Sequence, residues 1–320
     1  MPLPGEASAM DSVDFQNVRL LDVTLRDGGY VNRHSWAADQ AERVVRSVVR
    51  AGVERVEVGY FRPRRHDADG ATAPTASCPS GFLARLRRAA PRARLAVMVR
   101  PGDTAPEDYA ALPALGVTTV RFPVGPRNLA ATRPHIEAVK AAGMAVGLNV
   151  IRVSELPPAE VVRIAERAEG DGADVFYLAD SNGSLFPEDV ARLVGEIRGH
   201  LAIPLGFHAH DGLHLAFGNA LAALREGCAY LDASLGGMGK GGGNLRLDLI
   251  AGYLRSRGVR SLDIAPLARA AADVLEPWKT RDFTAEAESI VSGLLNLNLD
   301  EISAARERND GRDLVSLLNR

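Results

Sequence analysis

Short apolar runs alternate with amphipathic segments along most of the chain. Eight apolar runs have the length and composition of buried strands: 20–25, 53–58, 95–99, 119–124, 145–150, 175–178, 205–208 and 230–235. Between them lie segments with apolar residues at helical spacing: 37–50, 127–142, 158–170, 187–200 and 213–227. Several of these segments are followed by a glycine just before the next strand, as at the C-terminus of a helix. The pattern predicts about eight consecutive βα units.

This alternation is typical of a (β/α)8 barrel, which places eight βα units within roughly 250 residues. A doubly wound open sheet is the alternative, but no GxGxxG motif follows the first predicted strand to support it. We predict a barrel domain at 18–262, after a frayed tail at 1–17. A helical extension is predicted at 263–320, with helices at 267–275, 285–295 and 299–306.

Composition narrows the range of partners. The chain has 320 residues and a formal net charge of −2, which gives no reason to expect a nucleic acid or an anionic membrane as partner. No apolar run approaches the ~20 residues that cross a bilayer, and the N-terminus lacks the pattern of a signal peptide. Cys78 and Cys228 form no CxxC pair, which favours free thiols and a cytoplasmic location.

The carboxyl ends of the strands of such a barrel meet at one end, where active sites lie. Polar residues stand at or near most predicted strand ends: Asp27, Glu57, Arg100, Arg121, Asn149, Asp180, His208, His210 and Asn244. His208 and His210 are two residues apart on an extended run, so both imidazoles project to the same face. Such clustering favours a functional site, because a purely structural barrel has little need of it.

One carboxylate, two imidazoles and one amide oxygen form a candidate set of metal ligands: Asp27, His208, His210 and Asn244. Without a thiolate, this set suits Mn2+, Mg2+ or Co2+, and less often a catalytic Zn2+. About two coordination positions would remain for a chelating 2-oxo acid, whose developing enolate the metal would stabilise. Taken singly, the paired histidines also fit a structural role, and the glycine-rich loop at 236–243 also fits a mobile turn.

A cationic side chain next to the predicted carboxylate ligand is a candidate for catalysis. Arg26 would place a fixed positive charge beside the substrate oxygen, and Glu57 would hold it there, although a plain salt bridge is the alternative. An imine mechanism would instead need a lysine, and the chain has three: Lys140, Lys240 and Lys279. None of them is predicted on a strand facing the site, so the imine mechanism is disfavoured.

Five motifs follow one another in the predicted elements: LDVTLRDGGY, VEVGY, LADSNG, GFHAHDG and GGMGKGGGN. In this order, over residues 18–300, they resemble the DRE-TIM metallolyases. This family of barrel enzymes with an HMG-CoA lyase-like domain includes 4-hydroxy-2-oxovalerate aldolase, hydroxymethylglutaryl-CoA lyase and isopropylmalate synthase. The resemblance implies a divalent metal bound by the candidate set above. It also implies that Arg26, anchored by Glu57, stabilises an enolate during the cleavage or formation of a carbon–carbon bond.

The branches of this family differ in features that the chain can be checked for. The lyase branch uses a cysteine in the loop after strand eight, and the loop at 236–243 has none. The synthase branch has a long C-terminal extension, whereas only about 55 residues follow the predicted barrel here. The aldolase branch resembles the chain best, both in length and in the residues of the last two motifs.

Two departures from the aldolase branch leave the acid/base residue and the particular substrate open. Tyr30 stands where that branch has a histidine after the RDG sequence, so it is either a proton donor or relay or a residue that lines the pocket. His34 is a candidate to take the place of that histidine. Asp211 follows the paired histidines where the family commonly has asparagine.

These observations predict a divalent-metal-dependent aldolase that acts on a 2-oxo acid such as pyruvate and on an aldehyde. The rival hypotheses are a Claisen-type synthase that takes its enolate from an acyl-CoA, and a non-catalytic scaffold barrel. Four further residues are predicted to bind substrate: Arg100, Arg121, Asn149 and Asp180. The resemblance also implies a homodimer, with helices after the barrel near the site or a second subunit and the segment 278–283 as a place for this contact.

Overall fold

Eight parallel strands close into a barrel, as the computed structural model shows for residues 13–63, 73–278, 283–308 and 314. The strands are β1 (Arg19–Asp22), β2 (Arg55–Tyr60), β3 (Arg94–Met98), β4 (Val117–Val124), β5 (Ala145–Val150), β6 (Val175–Asp180), β7 (Leu205–Ala209) and β8 (Tyr230–Ala233). Each strand is hydrogen-bonded to the next in chain order, and β8 closes on β1 with Leu21 opposite Asp232. The predicted (β/α)8 barrel is confirmed.

Helices follow the strands and cover the outside of the barrel. The α-helices are α1 (Ala38–Arg50), α2 (Pro74–Ser77), α3 (Ser80–Ala89), α4 (Arg133–Ala141), α5 (Pro158–Gly170), α6 (Pro187–Arg198), α7 (Ala216–Arg225), α8 (Leu247–Ser256), α9 (Ile264–Leu275), α10 (Phe283–Leu294) and α11 (Leu299–Arg308). None of the helices in the described part of the chain is long and apolar enough to cross a membrane.

Several predicted boundaries differ from the structure, and two of them bear on how the elements begin and end. The segment predicted as one helix over 127–142 begins instead with a 3-10 turn at Leu129–Thr132, and α4 starts at Arg133 with a proline in its first turn. Proline suits that position because it has no N–H to leave unpaired and its φ is already helical. β2 extends two residues beyond its predicted end at 58, to Tyr60.

The two faces of the strands differ in chemistry. Val56 and Val58 of β2 point outward into the apolar core under the helices, whereas Glu57 between them points inward. The barrel interior contains fully buried charged residues, including Arg121 and Asp232. These charged residues lie inside the barrel, beneath the side chains at its carboxyl end.

The C-terminal segment folds back over the carboxyl end of the barrel. Asn296, with a positive φ of 53°, accepts hydrogen bonds on Oδ1 from Ser154 Oγ at 2.7 Å, Asn182 Nδ2 at 2.8 Å and Ser184 Oγ at 2.7 Å. This cluster fixes the start of α11, so that Leu299 reaches the cavity at the barrel end.

The segment 278–283, predicted to pack near the active site or against a second subunit, is described only in part. Trp278 packs edge-on against the buried Trp36, with ring centroids 4.9 Å apart. Residues 279–282, including Lys279, lie outside the described residues.

Candidate metal centre and active site

A carboxylate and two imidazoles converge at the carboxyl ends of β1 and β7. One potential ligand atom from each of Asp27, His208 and His210 lies within 4.8 Å of the others, and all three residues are buried. Asp27 Oδ2 and His210 Nε2 are 4.0 Å apart. Among the described residues, this is the one group of three or more such side chains close enough to bind a metal ion.

Hydrogen bonds at the Nδ1 atoms orient both imidazoles. His208 Nδ1 lies 3.0 Å from Asp232 Oδ2, and His210 Nδ1 donates to the carbonyl oxygen of Gly243 at 3.1 Å. A proton on Nδ1 leaves Nε2 with a free lone pair, which is the form of histidine that binds metals. Burial lowers the pKa of His210 to about 4, so this imidazole is neutral at physiological pH.

The glycine-rich loop positions the fourth candidate ligand, Asn244, by allowing close backbone approach. A Cβ on Gly239 would lie 2.3 Å from Asn244 Nδ2, and Gly243 combines a φ of +94° with a Cβ position 2.4 Å from the carbonyl oxygen of Gly237. No side chain fits at either position. The loop is therefore built to hold Asn244 and is not merely a mobile turn.

Asn244 has one satisfied and one unsatisfied polar atom. Its Nδ2 donates to Asp27 Oδ2 at 2.8 Å, while its Oδ1 is buried and has no hydrogen-bond partner in the described part of the chain. Leaving a buried acceptor unpaired costs about 1–3 kcal/mol, and a cation would remove that cost. The oxygen and nitrogen donors of this cluster thus fit a divalent ion.

The electrostatics of Asp27 also fit a metal ligand. Burial by itself would raise the pKa of this carboxyl group, but Arg26 and the two histidines reverse the shift and hold the pKa well below its usual range. Arg26 Nη1 donates to Asp27 Oδ1 at 2.5 Å. The group is a carboxylate at any pH at which the protein would work.

A chain of alternating charges runs below the metal site. Arg26 Nε donates to Glu57 Oε2 at 2.5 Å, and Glu57 Oε1 accepts from Arg121 Nη1 at 3.1 Å. Arg121 Nη2 in turn donates to Asp232 Oδ2 at 2.6 Å, the same oxygen that lies next to His208. This interior charge chain links the arginine beside one candidate ligand to another candidate ligand, so both are held by one network.

Two residues predicted to bind substrate are placed elsewhere. Arg121 is fully buried in the interior charge chain and stacks over the Tyr177 ring at 4.1 Å, so it does not line the cavity. Asp180 is also fully buried, and its carboxylate accepts from the backbone N–H groups of Ser184 and Leu185, both at 3.1 Å. These two predictions are corrected. Arg121 positions Glu57, and Asp180 orders the loop that follows β6.

The cavity above the metal centre has a volume of about 200 Å³ and opens at the carboxyl end of the barrel. Its lining includes seven of the predicted site residues: Arg26, Asp27, Tyr30, Arg100, Asn149, His208 and His210. It also includes four side chains outside the predicted set: Tyr60, Arg152, Lys240 and Leu299. Tyr60 is the last residue of β2 and Arg152 lies two residues after β5, so both could have been found from the strand ends, whereas Leu299 comes from the distant C-terminal segment.

Tyr30 lies at the mouth of this cavity and is paired with a second tyrosine. The Tyr30 and Tyr60 hydroxyl groups are 2.7 Å apart, and burial raises the pKa of Tyr60 above its usual value. His34 packs edge-on against both rings, and its Nδ1 lies 3.1 Å from Thr75 Oγ1. Burial and the nearby Arg26 lower the pKa of His34 to about 4, and this histidine is not among the cavity-lining residues.

A (β/α)8 barrel with a buried carboxylate–imidazole cluster at its carboxyl end defines a metal-dependent barrel enzyme. The sequence profile of the HMGL-like family matches residues 127–274. The chain is 32% identical to 4-hydroxy-2-oxovalerate aldolase of Chloroflexus aurantiacus, over 81% of this chain and 76% of the relative. It is 30% identical to the enzyme of the same name from Moorella thermoacetica, over 95% and 92% of the two chains.

A solved structure shows the same fold. The N-terminal domain of a candidate aldolase from Bacteroides vulgatus superposes with a TM-score of 0.74 and 26% identity, over 90% of this chain and all of that one. The protein belongs to the HMGL-like family, as its motifs predict. Members of this family are enzymes that depend on a divalent metal, and Asp27, His208 and His210 form the matching cluster in this chain.

Proposed function

We propose that this protein is a divalent-metal-dependent aldolase that cleaves or forms the bond between a 2-oxo acid and an aldehyde. The convergence of Asp27, His208 and His210 within 4.8 Å, at the floor of a cavity that also contains Arg26, carries the proposal. The names of the relatives point to the same reaction class. Pyruvate is the proposed 2-oxo acid, and Mn2+ or Mg2+ is the proposed metal, ahead of Co2+ and Zn2+.

The ligands of the metal are proposed to be Asp27, His208, His210 and Asn244. When bound there, such an ion would supply Lewis-acid chemistry toward a 2-oxo acid. Arg26 is fixed by Glu57 and Asp27, so its guanidinium presents a preorganised positive charge where negative charge develops on the substrate oxygen. Because the arginine is already held in place, little reorganisation is needed during the reaction.

Tyr30 is the proposed proton-transfer residue. Cleavage requires removal of a proton from the C4 hydroxyl group, and synthesis requires its return. Tyr30 is 40% exposed at the cavity, and the hydroxyl of Tyr60 lies within hydrogen-bond distance of its own, so protons can pass between the two groups. His34 packs edge-on against both rings and does not line the cavity, so it is proposed to orient the rings rather than to touch substrate.

Proton exchange of pyruvate in heavy water tests this function without knowledge of the aldehyde. We expect the methyl proton signal of pyruvate to disappear when protein and Mn2+ or Mg2+ are present, with spectra recorded after the metal is removed. Excess EDTA from the start should prevent the loss. No exchange by the metal-loaded protein would contradict the proposal.

The same experiment separates the rival functions. Metal-dependent proton exchange of acetyl-CoA, rather than pyruvate, would favour the synthase. Exchange of neither compound would favour a scaffold. We further propose a cytoplasmic homodimer; sedimentation of the purified protein tests the dimer, and a single species at monomer mass would exclude it.

A further inference from the structure

The cavity is rich in positive charge. Among the described residues, its lining contains four cationic side chains and one carboxylate, that of Asp27: the cations are Arg26, Arg100, Arg152 and Lys240. A bound divalent metal would add two further positive charges. The carboxylate of a 2-oxo acid would offset only part of this excess.

The cations differ in how far they are already neutralised. Arg26 is paired with two buried carboxylates, but no described carboxylate forms an ion pair with Arg100 or Lys240. Arg152 Nη2 lies 2.9 Å from Asp300 Oδ2, but the Asp300 side chain is 83% exposed. Exposed pairs of this kind are weak and readily exchanged for another anion.

The available cations are held near one another despite their mutual repulsion. Lys240 is half-buried, and burial, together with the charges of Arg152 and Arg26, lowers its pKa. Arg152, two residues after the end of β5, adopts a left-handed backbone conformation with a φ of +55°. Like charges gathered in a cavity favour the binding of an anion there.

Barrel topology places two of these cations across from the metal ligands. The ligands stand at the ends of β1 and β7 and after β8, whereas Arg100 follows β3 and Arg152 follows β5. In a closed eight-stranded barrel, β3 and β5 flank β4, the strand opposite β8. A 2-oxo acid that binds at the metal would therefore direct its other end, beyond the bond to be cleaved, toward these cations.

We propose that the aldehyde partner carries an anionic group, a carboxylate or a phosphate, that binds Arg100, Arg152 and Lys240. This inference rests on the proposed aldolase function and names the substrate class of the same site. The carboxylate case makes the cleavage substrate a 4-hydroxy-2-oxo dicarboxylic acid. The small cavity, with Leu299 and Ile151 at its rim, suits an aldehyde of few carbon atoms.

The reaction balances for the shortest carboxylate case, 4-hydroxy-2-oxoglutarate. The C3–C4 bond breaks, its electron pair remains on C3, and the C4 hydroxyl gives up its proton as the aldehyde forms. C3 then takes up one proton, so the products are pyruvate and glyoxylate. No oxidant, reductant or further reactant is needed.

Matched pairs of aldehydes test the inference in the synthetic direction with pyruvate and Mn2+. Glyoxylate is compared with acetaldehyde, and glycolaldehyde phosphate with glycolaldehyde, by kcat/KM for the aldehyde. At least one anionic aldehyde should exceed its neutral counterpart by about 10- to 100-fold, as expected for a charged hydrogen-bonded contact. Which of the two does so identifies the anionic group.

Variants locate the source of any preference. Arg100→Met and Lys240→Met should each lower the ratio of anionic to neutral kcat/KM by about tenfold, mainly through the KM of the anionic aldehyde, and Lys240→Arg should restore much of it. Arg62→Met is the matched control. Arg62 stacks on the same Tyr60 ring as Arg100, at 4.6 Å, but it is paired with Asp103 and is not among the cavity-lining residues. Its loss should leave the ratio unchanged.

The outcomes distinguish this inference from the aldolase proposal on which it rests. Pyruvate proton exchange needs no aldehyde, so its absence would refute the aldolase itself. If exchange occurs but both neutral aldehydes match or exceed their anionic counterparts, the anionic partner is wrong. A preference that Arg62→Met reduces as much as Arg100→Met would overturn the assignment to these cations.

Discussion

The two halves of the barrel end are built differently. In the metal half, at the ends of β1, β7 and β8, the polar side chains are buried and hydrogen-bonded to one another. In the acceptor half, at the ends of β3 and β5, Arg100 is exposed and Arg152 is held only by an exposed carboxylate. The difference suggests that the first half fixes the chemistry, whereas the second selects the substrate.

Removing a ligand from the metal half should have the largest effect. Asp27→Asn keeps the shape of the side chain but removes the charge that a divalent ion requires, so we expect turnover to fall by about 10³-fold or more. Metal content after dialysis, measured by mass spectrometry, should fall with it. Normal metal content together with normal pyruvate exchange would show that the site lies elsewhere.

Tyr30 sits between the two halves, and its loss should have the next largest effect. Tyr30→Phe removes the hydroxyl paired with Tyr60 while keeping the ring, and we expect kcat to fall by about 10²-fold, as for other acid–base residues. Metal affinity should not change. Retention of full activity would assign Tyr30 to lining the pocket, and His34→Asn would then be the variant to measure.

Cutting the interior charge chain tests whether the metal half depends on it. Asp232→Asn leaves Arg121 with one buried partner and weakens the hold on His208. We expect Mn2+ affinity to fall by about 10- to 100-fold, measured by calorimetry, and the free energy of unfolding to fall by about 3–5 kcal/mol. Asp39→Asn, which removes an exposed helix-surface pair with Arg43, serves as control and should change neither quantity.

The smallest effect is expected in the acceptor half. Asn296→Ala removes the acceptor of three side-chain hydrogen bonds that fix the start of α11 and hence Leu299. We expect the KM for the aldehyde to rise by about three- to tenfold, with Mn2+ affinity unchanged. A loss of metal affinity as large as that of Asp232→Asn would contradict the separate roles of the two halves.

Sequence reasoning found the metal half more completely than the acceptor half. His208 and His210 stand two residues apart at the end of one strand, where alternation places both side chains on one face, and Asp27 lies in the short motif after β1. Arg121 lies three residues before the end of β4, so its side chain lies inside the barrel, where it pairs with Glu57 and Asp232 instead of meeting substrate. The sequence does not indicate the interior charge chain, because Asp232 stands as a single acidic residue in an apolar run.

The acceptor half depends on contacts between distant parts of the chain. Asn296 is 114 residues from Asn182 and 142 from Ser154, and no local periodicity indicates that they meet. Leu299, three residues after Asn296, lines the cavity. Hydrophobic periodicity spans only a few residues. It therefore predicts the barrel and the ends of its strands, but not the C-terminal segment that folds over them.

The Asn296 cluster has a consequence for how enzymes of this kind diversify. The tail that closes the cavity is held by a few side-chain hydrogen bonds to two loops, and none of them involves a candidate metal ligand. We therefore expect mutations in the tail to alter which aldehyde is accepted while the strands that carry the candidate metal ligands stay intact. Exchange of tails between homologues would give natural evolution, or a protein engineer, a route to new products from one unchanged reaction centre.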